Sequence, residues 1–341
     1  MMERIQEGRS AVWVHRFAVL TACCTFLLVI AGGLVTSTDS GLAVPDWPLS
    51  YGQLMPPMVG GIFYEHAHRM VATFVGFLTT ILAILLWRNE ERIWVRNLGI
   101  VAWFAVVIQG VLGGLTVLFL LPTPISVSHA TLAQCFFSLT VFLALVTSPS
   151  WRTSDQVLAE AAVKTRRLSC ASGILVLAQL ILGALMRHTG SGLAIPDFPL
   201  SYGAIWPPLS ESSLPAMNLV RADMDLPPVA IDQIFIHLLH RVGAVAVAFV
   251  LITLVIHVFR TYRASYLREP ALFLLMMMAV QILLGALTVW TTRNIQVATS
   301  HVAAGALLLA GNVVLCARVF RYVRKPEVEN IDILKAEASP A

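Results

Sequence analysis

Eight apolar stretches, each about 20 residues long and set apart by charged or proline-rich gaps, constrain this chain more than any other feature. They cover roughly residues 14–36, 66–87, 98–119, 126–147, 168–187, 235–259, 270–291 and 298–320. A helix needs about 20 residues to cross some 30 Å of hydrocarbon, while a spanning strand needs about half as many and alternates in polarity. Composition agrees: 57% of residues are hydrophobic and 12% are charged, against about a quarter charged in soluble domains. The expected fold is an all-α integral membrane protein with eight transmembrane helices. The first stretch is too long for a signal-peptide core and no clear cleavage site follows it, so it counts as a span. No nucleic-acid partner is expected; membrane lipid is the surrounding medium.

Basic residues fix an expected orientation. Arg4, Arg9 and Arg16 precede helix 1; Arg88, Arg92 and Arg96 join helices 2 and 3. Arg152, Lys164, Arg166 and Arg167 join helices 4 and 5, and Arg260, Arg263 and Arg268 join helices 6 and 7. Arg318, Arg321, Arg324 and Lys325 follow helix 8. All of these gaps share one side if eight helices span. The other side holds only Arg187, Arg221 and Arg293, with Arg69 and Arg241 at helix mouths. The positive-inside rule then places both termini in the cytoplasm of a bacterial-type cell (inner) membrane. The long loops after helices 1 and 5 face outward.

The chain repeats itself. Gly41-Leu-Ala-Val-Pro-Asp-Trp-Pro-Leu-Ser-Tyr-Gly52 returns as Gly192-Leu-Ala-Ile-Pro-Asp-Phe-Pro-Leu-Ser-Tyr-Gly203, an offset of 151. Gln109–Val117 returns as Gln281–Val289, Ser128-His129 as Ser300-His301 and His68-Arg69 as His240-Arg241, all at an offset of 172. The offset grows by an insertion around 210–228 in the second outer loop, to which the sequence assigns no role. The expected plan is two parallel-repeat four-helix bundles, the repeat axis running along the membrane normal. The N-terminal half spans 1–152, a cytoplasmic linker 153–167, the C-terminal half 168–325 and a polar tail 326–341. The first ten residues read as a loose terminus as well. Cys23, Cys24, Cys135, Cys170 and Cys316 all lie in apolar stretches without metal spacing, and read as small buried hydrophobes.

Four histidines share one depth: His68, His129, His240 and His301 each stand at the outer end of an even-numbered helix. Each half can offer one pair, His68 with His129 and His240 with His301. Two imidazoles from facing helices of a bundle can clamp a haem iron axially. Gly113, Gly114, Ala130, Gly285, Ala303 and Gly305 would let a porphyrin approach. Zinc or non-haem iron would call for further Cys, Asp or Glu ligands beside each pair. Glu65 precedes His68 by three residues, about 60° round the helix, and its counterpart at the repeat offset is His237. The halves thus keep one clamp and differ in the group beside it. Glu65 is therefore the candidate catalytic carboxylate of the N-terminal half, the alternative being a first-turn helix residue favoured by the dipole. Arg69 and Arg241 are candidates for contact with haem propionates, or for interfacial snorkelling. His66, on another helix face, reads as mouth-facing or structural, and His188 has Ser37 as its counterpart. Asp46 and Asp197, in stiff proline-rich loops, read as caps or turn formers.

Glu65-His66-Ala67-His68-Arg69, the two Ser-His pairs, His240-Arg241 and the doubled eight-helix plan resemble the haem A synthase (CtaA-type) family over about residues 12–322. The resemblance implies an oxidoreductase acting on a methyl (CH/CH2) group, converting the C8 methyl of haem O to a formyl and giving haem A for cytochrome c oxidase. It implies that His68 and His129 are axial to the substrate haem O, that Glu65 is the catalytic carboxylate, and that His240 and His301 hold a resident haem b. Haem O synthase and cytochrome c oxidase subunit I are the implied partners, and a homo-oligomer is compatible with the plan. Many members carry a cysteine pair in the outer loops; Val44–Tyr51 and Ile195–Tyr202 contain none. Two other readings remain: a bis-histidine b-type membrane cytochrome that only transfers electrons, and a haem carrier or oxidase assembly factor without chemistry.

Overall fold

The computed structural model describes residues 2–153 and 156–325. Among the described residues, eight helices are long and apolar enough to cross a membrane. They are α1 (Met2–Ser37), α2 (Gly60–Asn89), α3 (Ile93–Leu118), α4 (Thr123–Thr147), α5 (Ala162–His188), α6 (Ile231–Thr261), α7 (Ser265–Trp290) and α8 (Ile295–Tyr322). The protein is an all-α integral membrane protein.

The helices outrun the apolar stretches because polar helix formers extend them beyond the hydrocarbon. The first ten residues, expected to be loose, continue α1; Glu3, Arg4, Gln6 and Glu7 favour helix. α2 begins at Gly60, so Glu65 and His66 lie within the helix rather than at its mouth. The expected linker is partly ordered: Val157–Leu158 (β1) pairs in parallel with Val323–Arg324 (β2), and α5 starts at Ala162. The expected tail, 326–341, lies outside the described residues.

Each half packs as a ring. In the first, α1 touches α2, α2 touches α3, α3 touches α4 and α4 touches α1; α5 to α8 repeat that cycle. The rings meet where α4 packs on α5 and α8, and α8 on α1. Each ring has its own core, around Leu82, Leu86 and Leu143 in the first and Leu251, Leu254 and Leu315 in the second. Val29, Phe137, Ala306 and Ala310 fill the seam between them.

Lipid offers helices no hydrophobic drive to associate, so close packing and interhelical hydrogen bonds must hold the bundle. Gly99 and Gly311 supply the first: a Cβ on them would come within 2.9 Å of Leu86 and 2.7 Å of Phe273. Asn312 supplies the second, its Nδ2 donating to Ser172 Oγ at 2.8 Å across α8 and α5. Asn312→Ala should lower stability by about 1 kcal/mol, while Gly311→Leu, which forces Phe273 aside, should cost about 1–3 kcal/mol. Thermal unfolding in detergent micelles measures both, and a Gly311→Leu variant as stable as wild type would refute this close approach.

Candidate functional site

The four histidines stand six to nine residues inside the starts of α2, α4, α6 and α8, about 9–13 Å along the helix. All four are half-buried. Each lies over a glycine of the preceding helix. A Cβ on Gly32 would stand 3.2 Å from His68, on Gly113 3.2 Å from His129, on Gly183 3.2 Å from His240 and on Gly285 3.3 Å from His301. Each of those glycines opens the same short motif: Gly32-Gly33-Leu34, Gly113-Gly114-Leu115, Gly183-Ala184-Leu185 and Gly285-Ala286-Leu287.

His68 and His129 lie within electrostatic reach of one another, as do His240 and His301. Each of these two influences runs within one ring. Gln109 Nε2 donates to the His129 carbonyl at 2.9 Å, and Gln179 Nε2 to the His240 carbonyl at 2.8 Å, holding both helices in register. Nδ1 of His129 and of His301 is buried with no hydrogen-bond partner. Rings cradled by glycine, with an unused nitrogen, fit axial ligation of a porphyrin iron. Among the described residues, no group of three or more His, Cys, Asp or Glu side chains assembles, which a zinc site would draw on.

The two long loops close over the pairs with one internal design. The amides of Tyr51 and Gly52 donate to the two Asp46 carboxylate oxygens at 2.7 and 2.8 Å, and those of Tyr202 and Gly203 do the same to Asp197. Asp46 and Asp197 are thus the expected turn formers. The Gly52 amide, then the Tyr51 amide, holds the Asp46 carboxyl below its usual range. Tyr51 and Tyr202 each donate their hydroxyl to the carbonyl eight residues back, on Ala43 and Ala194. Peptide bonds Trp47–Pro48 and Phe198–Pro199 are both cis.

Arginines fasten the loops to the helices. Arg69 Nη1 donates to the Asp46 and Leu49 carbonyls at 2.7 and 2.8 Å, and its Nη2 to Glu65 Oε1 at 2.6 Å and the Val44 carbonyl at 3.3 Å. Arg241 Nη1 donates to the Leu200 carbonyl at 2.8 Å, and its Nη2 to those of Asp197 and Ile195 at 2.7 and 3.3 Å. Both guanidinium groups are occupied by loop backbone. Glu65 accepts the Val44 amide at 2.8 Å, and His237 Nδ1 accepts the equivalent Ile195 amide at 3.3 Å. Glu65 and His237 therefore do the same structural work, and only Glu65 brings a negative charge to it. Both are buried, 4% and 3% exposed.

Three further differences separate the halves. His66, buried, pairs its Nδ1 with Ser50 Oγ at 2.8 Å and leaves Nε2 unpartnered, where the second half has Leu238. His188, at the end of α5, lies within electrostatic reach of His129 in the other half. The insertion caps the second loop. Its short helix, Leu214–Ala222, places Met217 in one buried cluster with Ala194, Ile195 and Leu238, and the buried Arg221 donates to the Leu193 carbonyl at 2.5 Å. Burial pushes the Tyr202 phenol above its ordinary pKa, whereas Tyr51 is 50% exposed. The first loop carries no such cap; Trp47 lies against Gly114, and Arg69 and Glu65 hold the loop backbone.

Sequence reasoning missed Gly32, Gly183 and the loop clamps. The glycines were detectable, since they recur at the offset of 151. The clamps were not, because their acceptors are backbone carbonyls, which no side-chain motif encodes. Gly114 and Gly305, expected to admit a porphyrin, instead meet Trp47, and Leu180 and Gln281.

The chain is similar to known proteins over nearly its whole length. A heme A synthase of Geobacillus kaustophilus (strain HTA426) is 26% identical over 343 residues, covering 98% of each chain. One from Shouchella clausii (strain KSM-K16) is 28% identical over 256 residues, 74% of this chain and 78% of the relative. One from Halalkalibacterium halodurans is 31% identical over 203 residues, 57% of this chain and 66% of the relative. The profile of the family described as cytochrome oxidase assembly protein matches residues 15–61 and 59–313. With that match running through both histidine pairs and both loops, the chain belongs to the cytochrome oxidase assembly protein family.

Proposed function

We propose that this protein acts in haem A biosynthesis, oxidising the C8 methyl of haem O to a formyl group. The observation that carries the reading is a four-histidine frame repeated in both rings but broken at one buried position, Glu65 against His237. Two equal clamps suit two porphyrins; one carboxylate suits one reaction.

In this reading His68 and His129 orient the substrate haem O, and His240 and His301 hold a resident haem b. The cap over the second loop supports that division, because a capped site retains its occupant and an uncapped one exchanges it. The redox chemistry is supplied by haem iron when bound. Methyl to formyl is a four-electron oxidation whose oxidant comes from outside the chain; two hydroxylations of the methyl would give a diol, which loses water to leave the formyl. Glu65, fixed by Arg69 and the Val44 amide one turn from His68, accepts protons released at the substrate edge. Arg69 and Arg241 act as loop clamps and would meet a propionate only by releasing loop carbonyls. The apolar helices and bacterial relatives support a multi-pass bacterial cell membrane protein. The basic-residue pattern supports both termini in the cytoplasm and the haem sites toward the outer face. Haem O synthase, as supplier, and cytochrome c oxidase subunit I, as recipient, are the proposed partners.

Three experiments test this. With haem O supplied by co-expression, mass analysis of extracted haems should find haem A; a folded, haem-loaded protein yielding only unchanged haem O would mean electron transfer or carriage instead. Glu65→Gln should cut product about 100-fold or more with haem content retained. Glu65→His, which copies the second half, should keep the loop closed through the Val44 amide and still make no product. Product from that variant would show that the carboxylate is dispensable. His240→Ala should lose the resident haem from the purified protein while His68→Ala keeps it, as read by pyridine haemochrome spectra; the opposite pattern exchanges the two sites.

A further inference from the structure

Three charged side chains outside the histidine frame meet at the loop end of the bundle. Arg187 Nη2 donates to Asp39 Oδ1 at 2.8 Å, and also to the Thr36 carbonyl. Arg293 Nη2 donates to Asp39 Oδ2 at 2.8 Å. One carboxylate is gripped by two guanidinium groups, one to each oxygen. The Asp39 side chain is the exposed member at 68%, against 28% for Arg187 and 32% for Arg293. The anion is the most exposed of the three, and both cations are half-buried. Among the described residues each arginine uses only Nη2, so Nη1 and Nε of both stay free. Arg69 and Arg241 differ, with Nη1 and Nη2 both held by the loops.

The cluster lies where the two halves meet, and both of its arginines come from the second half. Arg187 is one helical turn beyond Gly183, over which the His240 ring lies, and Gln179, one turn back, donates to His240 Nδ1 at 3.1 Å. Residues four apart share a helix face, so Arg187 sits above the His240 ring on the loop side. Arg293 enters from the turn between α7 and α8. The first half carries neither arginine, with Thr36 and Leu121 at the positions matching Arg187 and Arg293; Asp39 is contributed by the first half, and its counterpart in the second is Gly190. The turns themselves match: Leu120 and Leu121 have φ of 59° and 59°, Thr292 and Arg293 of 48° and 68°. One backbone thus carries a leucine that packs on Gly41 in the first half and a cation in the second.

We propose that Arg187 and Arg293 form a carboxylate-binding cradle for an acidic side group of the porphyrin held between His240 and His301. The inference rests on the reading of that pair as haem ligands. Asp39 aligns the two guanidinium groups and offsets one of their charges. The free Nη1 and Nε donors take the porphyrin carboxylate, in the forked geometry that guanidinium offers. The polar edge of that porphyrin then faces the membrane boundary. The substrate half has no such cradle, which suits an occupant that must leave.

The test compares haem b with its dimethyl ester, in which both acid groups are blocked, in a His68→Ala background that leaves only the second pair intact. Full-length protein from haem-starved cells is titrated with each, and the bis-imidazole absorption spectrum reports binding. The parent should prefer the free acid about tenfold or more, as loss of a charge-assisted hydrogen bond predicts. Arg187→Gln/Arg293→Gln should lose most of that preference while binding the ester as before. Should the double variant fail to fold, Arg293→Gln alone should show a reduced preference at an unchanged melting temperature. Asp39→Asn, which keeps both cations, should keep the preference. An undiminished preference in the arginine variants would overturn the cradle and leave the histidine pair standing. A parent that gives no bis-imidazole spectrum with either porphyrin would overturn the histidine reading, and the cradle with it.

Discussion

The site depends on an arginine at the top of a helix satisfying the carbonyls of a proline-rich loop. Backbone carbonyls at the edge of a membrane domain are costly to leave unpaired. A loop with two prolines cannot pair them by forming helix or strand. Arg69 and Arg241 solve this by donating to several loop carbonyls from one guanidinium group each. Because each arginine directly follows a ligand histidine in sequence, fixing the loop also fixes the start of the helix that carries the histidine. The glycine cradle then limits the ring from the opposite side. Lid, clamp and ligand form one rigid unit, and it occurs twice.

Two copies of one unit need not do one job. Between Glu65 and His237 the acceptor role is unchanged, since each takes the amide of its loop. A carboxylate next to a guanidinium adds a charge that the second half lacks. Removing one partner of a buried ion pair costs about 3–5 kcal/mol. Glu65 is therefore retained by structure as well as by any chemistry it performs, and loss of activity in a Glu65→Ala variant would not tell the two apart. Glu65→His keeps the acceptor for the Val44 amide and removes the charge, so read together with its haem content and melting temperature it separates loop closure from the carboxylate's own contribution.

Much of this was legible in the sequence, and the rest was hidden for identifiable reasons. Span number follows from apolar length, and the histidine pairing from offsets that needed no coordinates. Side-chain motifs exposed the histidine frame because it is written in residue type. The occupation of Arg69 and Arg241 could not be read, because carbonyl acceptors are common to every residue type. The insertion at 210–228 was equally opaque. Its effect comes from a buried Arg221 reaching Leu193 and from Met217 sharing a buried cluster with Ile195, across segments with no local pattern to link them.

The asymmetries share a direction. The second half gains a cap, a buried Leu238 under it and two half-buried arginines where the halves meet. The first half has a polar latch, His66 to Ser50, and a tyrosine left half exposed. An apolar cap must be removed as a unit, exposing all the surface it covers. The latch of one hydrogen bond contributes about 0.5–1.5 kcal/mol and adds to the Arg69 and Glu65 contacts that hold the first loop. Local opening is drawn from the parts of a structure with the fewest buried contacts. The first loop has the same arginine clamp as the second but no cap, and it belongs to the half in which Glu65 stands beside a histidine pair. In the proposed function catalysis and exchange therefore fall to the same half on two separate features, the Glu65 charge and the uncapped loop.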